Sequence, residues 1–293
     1  MASITSHRLA AGRTSRAVAT RTWDRAAYVV SAALAAVSAV ASAATFFTPG
    51  VLRGTAVMNG SARGTAIVML VAGVPLLLAA MYLASRGSLR ARVAWIGLAA
   101  YFAYNAVMYV LATPMNQLYL LYEAMLGLAI WSVALAVASL DREELRSSFS
   151  LRFPRRALAA YVLVIVGLNT FVWLSGAVPA TFSTGAAKVL EGTGLTTVPT
   201  YDQDLAFWLP LIAVGAIWMW RGLEWGRVIV GAALVFWVVE GVGVAVDQWM
   251  GSAADPSSTV ASATMTPVFA ALAVIGLVPL FFYMRNLREE ADR

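Results

Sequence analysis

Along the chain, apolar runs of about 20 residues alternate with short polar segments, and no extended stretch keeps the mixed pattern of a soluble domain. A run of that length is what an α-helix needs to cross roughly 30 Å of hydrocarbon. Eight are present, at 26–47, 65–84, 91–112, 118–140, 157–178, 205–220, 228–246 and 265–284. The sixth is short and extends back to about Asp204. Internal Pro75, Pro210 and Pro279 do not argue against helix, because neighbouring helices satisfy the freed carbonyls. The pattern predicts an all-α, polytopic transmembrane helix bundle over 26–284. A basic, disordered cytoplasmic tail is expected at 1–25 and a short cytoplasmic tail at 285–293. Ala41-Ser42-Ala43 has the form of a signal-peptidase site, but its apolar run is long and its basic leader longer, so an uncleaved first helix is expected.

The basic residues orient these spans. Arg8 to Arg25, Arg86 to Arg92, Arg142 to Arg156, Arg221 with Arg227, and Arg285 to Arg293 fall on alternate connections and hold 18 of the 21. The positive-inside rule puts those connections and both termini in the cytoplasm of a cell that carries the protein in its plasma membrane. Arg53, Arg63 and Lys188 are left on outer connections, where solvated charge is the default. Trp23, Trp95, Trp220 and Trp225 near inner ends, with Tyr119, Trp173 and Trp249 near outer ones, fit interfacial aromatic belts. The net charge of +6 therefore points to anionic lipid headgroups rather than nucleic acid.

Composition then narrows the chemistry. At 60% hydrophobic and 12% charged residues, the chain cannot cover itself with polar groups, so lipid is its solvent. It has no cysteine, one histidine (His7, in the N-terminal tail) and one lysine (Lys188, in a Gly/Thr-rich connection). Thiolate metal sites, b-type haem, HExxH zinc hydrolysis, a retinal Schiff base and Ser/Lys dyads all lose a required residue. No cofactor, metal or catalytic residue is assigned, and the reading is away from an enzyme. No Walker A loop or G-x-G-x-x-G fingerprint is present.

Polar residues inside spans require an explanation, since a charged group at mid-membrane costs about 2.5–3.5 kcal/mol on insertion scales. Glu240 lies in the seventh span, seven residues before Asp247 and so about 10 Å deeper on nearly the same face. Glu123 enters the fourth span one turn after Tyr119. Asn105, Asn169 and Asp204 lie at mid-depth or in the outer half. Together Glu240, Asn105, Asp204, Glu123, Asn169 and Asp247 suggest a polar cavity open to the outside. Each has a plainer role: Glu240 a protonated strut, Glu123 an interfacial carboxylate, the asparagines interhelical hydrogen-bond glue, and Asp204 a helix-capping acid.

Sliding the chain by 135 positions aligns the second and third spans with the sixth and seventh without a gap. Pro75 then falls on Pro210, Arg86-Gly87 on Arg221-Gly222, Arg92-Val93 on Arg227-Val228, and Asn105 on Glu240. Four spans per half keep one orientation, so this would be a parallel 4+4 repeat about the membrane normal; chance matching of apolar helices is the alternative.

Tyr101-Phe102-Ala103-Tyr104-Asn105 leading to Pro114-Met115-Asn116 and Leu120-Leu121-Tyr122, then Asp204-Leu205 with Pro210, and Trp225-Gly226, resemble a family of uncharacterised bacterial multi-pass membrane proteins from high-GC genomes. The likeness covers most of the region between Asn59 and Trp237. It implies the architecture and a shared aspartate at Asp204, while the family position of Glu123 is usually apolar. It implies no activity.

Two functions follow. One is a small-solute or proton-coupled carrier lined by Glu240, Asn105 and Asp204. The other is a non-catalytic scaffold, sensor or subunit that meets a membrane partner protein. A lipid-modifying enzyme ranks below both, for want of a nucleophile.

Overall fold

The computed structural model describes the backbone of residues 2–150, 153–185 and 187–287, with side chains from Thr22 onward. The basic residues of the N-terminal tail up to Arg21, Arg152, and the C-terminal tail beyond Leu287 lie outside the described side chains. Among the described residues the chain is helical, with no strand beyond a single antiparallel bridge between Phe149 and Leu287. Among the described residues, eight helices are long and apolar enough to cross a membrane. We number them α1 (Thr22–Phe47, the apolar part of a helix assigned from Ala2), α2 (Ala56–Ser85), α3 (Leu89–Leu111), α4 (Tyr119–Ala138), α5 (Arg155–Phe182), α6 (Pro199–Arg221), α7 (Glu224–Ala254) and α8 (Met265–Asn286). The chain is thus a multi-pass integral membrane protein by the length and composition of its helices.

Helix α7 is the centre of the bundle. It packs on α2, α3, α6 and α8, while α1 lies along α4 and against α2. Glycine makes the closest of these crossings possible. Gly60 and Gly64 on α2 form a G-x-x-x-G face against α7: a Cβ on Gly60 would meet the Met250 carbonyl oxygen at 2.5 Å, and one on Gly64 the Asp247 Cα at 2.8 Å. Small residues at this spacing let two backbones approach, which is how helices associate where lipid removes any hydrophobic drive.

Two of the helices start or end away from their expected positions. Helix α2 begins at Ala56, not near residue 65, so Arg63 is not a solvated loop charge: it lies within the helix, partly buried, with its Nε unpartnered among the described residues. Helix α7 runs on to Ala254, which puts Asp247 inside the helix rather than in a connection. The aromatic belt also loses a member. Trp95 is fully buried and donates its indole N–H to Ser31 at 2.9 Å, and Ser31 in turn pairs with Ser132 of α4.

The arginine-rich end is closed by the connection between α4 and α5. Asp141 caps a short helix, Arg142–Ser147, by accepting from the Glu143 N–H. That helix buries Leu145, and the segment beyond it sets Phe149 and Phe153 against Tyr283 of α8. Arg142 lies over Trp225 and Arg227 over Phe149, so this connection is folded against the bundle. At the same end, Arg92 forms an ion pair with Asp24 at 2.8 Å.

The 135-residue offset reappears in the backbone. Helix α2 contains a π-helical turn at Met69–Gly73 and α6 one at Asp204–Trp208, each followed by its proline, Pro75 or Pro210. A proline removes an N–H and crowds the preceding turn, and a widened turn accommodates both effects. The connections turn on Gly87 (φ 90°) and Gly222 (φ 87°), and α3 and α7 begin at the equivalent positions Leu89 and Glu224. Even the packing corresponds: Gly73 abuts Tyr101 in one hairpin, and at the same offset Trp208 stacks on Phe236 in the other. Four features of the chain and one contact at a single offset are not what chance matching of apolar helices produces. The outer helices break the symmetry, since α1 packs along α4 while α8 rests chiefly on α7.

Candidate functional site

Where the two hairpins meet, α3 and α7 run side by side and the offset places Asn105 opposite Glu240. The Asn105 Nδ2 donates to Glu240 Oε2 at 2.8 Å and, with its other hydrogen, to the Tyr101 carbonyl at 3.0 Å. The two residues are thus 135 positions apart in sequence and in direct contact. Glu240 is partly buried and Asn105 buried, and among the described residues no lysine, arginine or histidine partners the carboxylate.

On α3 a polar stripe recurs every four residues, the helical spacing of one face: Tyr101, Asn105 and Tyr109. Helix α7 answers with Glu240, Gly243 and Asp247. The Tyr101 hydroxyl is fully buried and has no hydrogen-bond partner among the described residues. A Cβ built on Gly243 would sit 3.8 Å from that hydroxyl and 4.0 Å from Glu240 Oε2, so both groups face the same small space beside the glycine. The Tyr109 hydroxyl donates to the Ala62 carbonyl at 2.9 Å, and its ring stacks on Tyr122.

Asp204 reaches the same region from α6. It lies in the π-helical turn, buried, and accepts from the Trp173 indole of α5 at 2.8 Å. Trp173 thus serves a buried acid. Tyr104, one helical position from Asn105, approaches Asp204 and packs on Trp208 and Phe236. The remaining two sequence candidates stand apart. Glu123 is engaged by the Tyr119 hydroxyl one turn away on the same helix, and Asn169 donates to the Ile165 carbonyl of its own helix at 3.1 Å. Neither faces the Glu240 pair through any hydrogen bond found among the described residues.

Toward the arginine-rich end the contact between α3 and α7 is apolar and tight. Gly97 lies so near α7 that a Cβ there would meet the Ala232 carbonyl at 2.5 Å, with Ile96, Leu98, Val230 and Leu234 buried around it. Toward the opposite end come Asp247, Tyr109 and Ser61. The site is thus polar on one side and sealed on the other. A separate groove of about 400 Å³ between α7 and α8, lined by Val238, Val242, Trp249, Ala270 and Val274 among others, presents no polar surface.

Set against protein-family models, curated proteins and solved structures, the chain matches none. The functional reading rests on its own residues.

Proposed function

We propose that the protein is a membrane carrier for a small solute, coupled to protons, in which the two hairpins α2–α3 and α6–α7 rock about the Glu240–Asn105 contact. The observation that carries this reading is a carboxylate between the two hairpins, hydrogen-bonded from one to the other and free of any basic partner among the described residues. Repeats of this kind supply two packed bodies, and a polar site between them is where alternating access operates. Ionisable groups inside spans mark such pathways by default, because an acid placed there without a task is a net cost. On this reading the arginine-rich end faces the cytoplasm, and the folded α4–α5 connection lies beside anionic headgroups there.

A second reading, a subunit of a larger membrane assembly, has one feature in its favour: α8 leans on α7 with most of its length uncovered. The two readings differ in whether the hairpins move. The chain has no cysteine, so Arg86→Cys with Arg221→Cys gives a clean pair of spin labels at equivalent, exposed positions. A carrier is expected to show two inter-label distances whose populations shift with pH, and Glu240→Gln to hold one of them. A single distance at every pH contradicts the carrier. In intact cells the same cysteines are expected to resist an impermeant maleimide, and labelling from outside would overturn the orientation.

A further inference from the structure

We propose that Arg155 and Arg227, which converge on the Gly222 turn at the arginine-rich end, form a binding site for a phosphate group, borne by a lipid headgroup or by a soluble phosphate compound. The site is separate from the Glu240–Asn105 contact and does not rest on the carrier reading.

The two hairpins supply the comparison. Arg92 and Arg227 are equivalent at the 135-residue offset, each one turn into its helix. Arg92 is neutralised within the chain: its guanidinium pairs with Asp24 of α1 at 2.8 Å and donates to the Ser139 hydroxyl at 3.0 Å. Arg227 has no such partner. At the same offset Asp24 falls on Ala159 of α5, apolar and buried, and among the described residues no carboxylate forms an ion pair with Arg227. What approaches instead is a second cation. The Arg155 guanidinium, from the first turn of α5, occupies the place that a Cβ on Gly222 would take, whereas the place beside the equivalent Gly87 is open. Arg227 Nη2 reaches the Gly222 carbonyl oxygen at 3.5 Å. Two guanidiniums thus meet over one turn where the other hairpin has an arginine and an acid.

Both cations keep donors that the protein does not use. The Arg227 guanidinium lies on Phe149, 4.6 Å from the ring centroid, and its Nε is buried with no hydrogen-bond partner among the described residues. A buried donor normally finds an acceptor. The Arg155 guanidinium makes no hydrogen bond or ion pair with any described residue. Glu224, one turn before Arg227 on α7, bridges to neither arginine. Like charges placed this near repel, and an anion between them removes the repulsion.

The donors select the anion. A guanidinium presents its N–H groups as a planar fork, which one carboxylate satisfies with its two oxygens. Two forks from different helices ask for more oxygens and for up to two negative charges, and a phosphate group has both. Stacking on Phe149 fixes the Arg227 fork, while Arg155 is free to close on the ligand. The ends of α5 and α7 lie within reach of headgroups and of water.

The test uses the full chain in neutral detergent with two probes. Inorganic phosphate is titrated by calorimetry against chloride at matched ionic strength, and retained dioleoylphosphatidylglycerol is measured by native mass spectrometry. Arg155→Gln removes a cation with no protein partner and is expected to keep the unfolding temperature; Arg227→Lys keeps the charge and loses the fork. Both are expected to weaken probe binding at least about tenfold, the worth of one charged hydrogen bond. Arg156→Gln, the same charge loss at the exposed neighbour, is expected to leave it nearly unchanged. Lipid that phosphate does not displace identifies a headgroup, and phosphate bound without retained lipid identifies a soluble ligand. Equal losses in Arg155→Gln and Arg156→Gln would reduce the effect to a diffuse basic field and overturn the site, as would a wild type that binds neither probe.

Discussion

Gly64→Leu is expected to abolish recovery of folded protein. The glycine sits where α2 crosses α7, and the nearest atoms of its neighbour are backbone: Asp247 Cα at 2.8 Å and the Val246 carbonyl oxygen at 2.8 Å from the Cβ a side chain would add. A clashing side chain can change rotamer; a helix backbone cannot. Overpacking costs about 1–3 kcal/mol where side chains can adjust, and here the whole crossing must open, carrying Gly60 and the Gly251 contact with Ser61 apart with it. Size-exclusion chromatography in mild detergent should show loss of the monodisperse peak for Gly64→Leu and a lowered unfolding temperature for Gly64→Ala. A leucine variant that elutes and melts like the wild type would show that α2 and α7 are not packed as described.

The second large effect concerns the Asn105–Glu240 pair, where a structural strut and a working carboxylate make opposite forecasts. Asn105→Leu removes the only side-chain donor found on Glu240 among the described residues. An acceptor stranded in this way costs about 1–3 kcal/mol, so the unfolding temperature should fall. Adding Glu240→Leu replaces the stranded polar group by an apolar one and should restore most of the loss, since an apolar pair of similar shape is often neutral or better. The interaction energy from the cycle is expected at about 0.5–2 kcal/mol, the range of hydrogen bonds between membrane helices. Stability regained with the pH-dependent movement still absent is the signature of a functional acid. Movement regained along with stability would reduce Glu240 to a strut.

The eight spans were legible in the sequence, because apolar length reports directly on a bilayer. The correspondence of the α2–α3 hairpin with α6–α7 was legible too, through Pro75 with Pro210 and Arg86-Gly87 with Arg221-Gly222. What escaped were features whose residues read as something else. Asn59-Gly60-Ser61-Ala62-Arg63-Gly64 has the composition of a loop, so α2 was expected to start after it, and the G-x-x-x-G face that docks α7 fell outside the helix it belongs to. Tyr101 and Tyr109 look like ordinary aromatics in an apolar run. Only their spacing of four to either side of Asn105 hints at a polar face. The π-helical turns have no signature in composition, although the prolines after them were visible. Of the six polar candidates, Glu240 and Asn105 pair directly, Asp204 is held by Trp173, Asp247 lies about two turns along α7 from Glu240, and Glu123 and Asn169 find partners within their own helices. Depth in a span is readable from sequence, whereas the direction a side chain takes around the helix depends on neighbours that a single sequence does not name.

Whether Glu240 holds a solute-handling site is decided by mass spectrometry of protein gently purified from its own cells, with small molecules and co-purifying proteins measured in one preparation. The wild type is expected to retain a small molecule that Glu240→Gln loses while eluting and melting normally. Identical small-molecule content in both, together with a stoichiometric partner protein, would contradict it and assign the chain to a larger assembly.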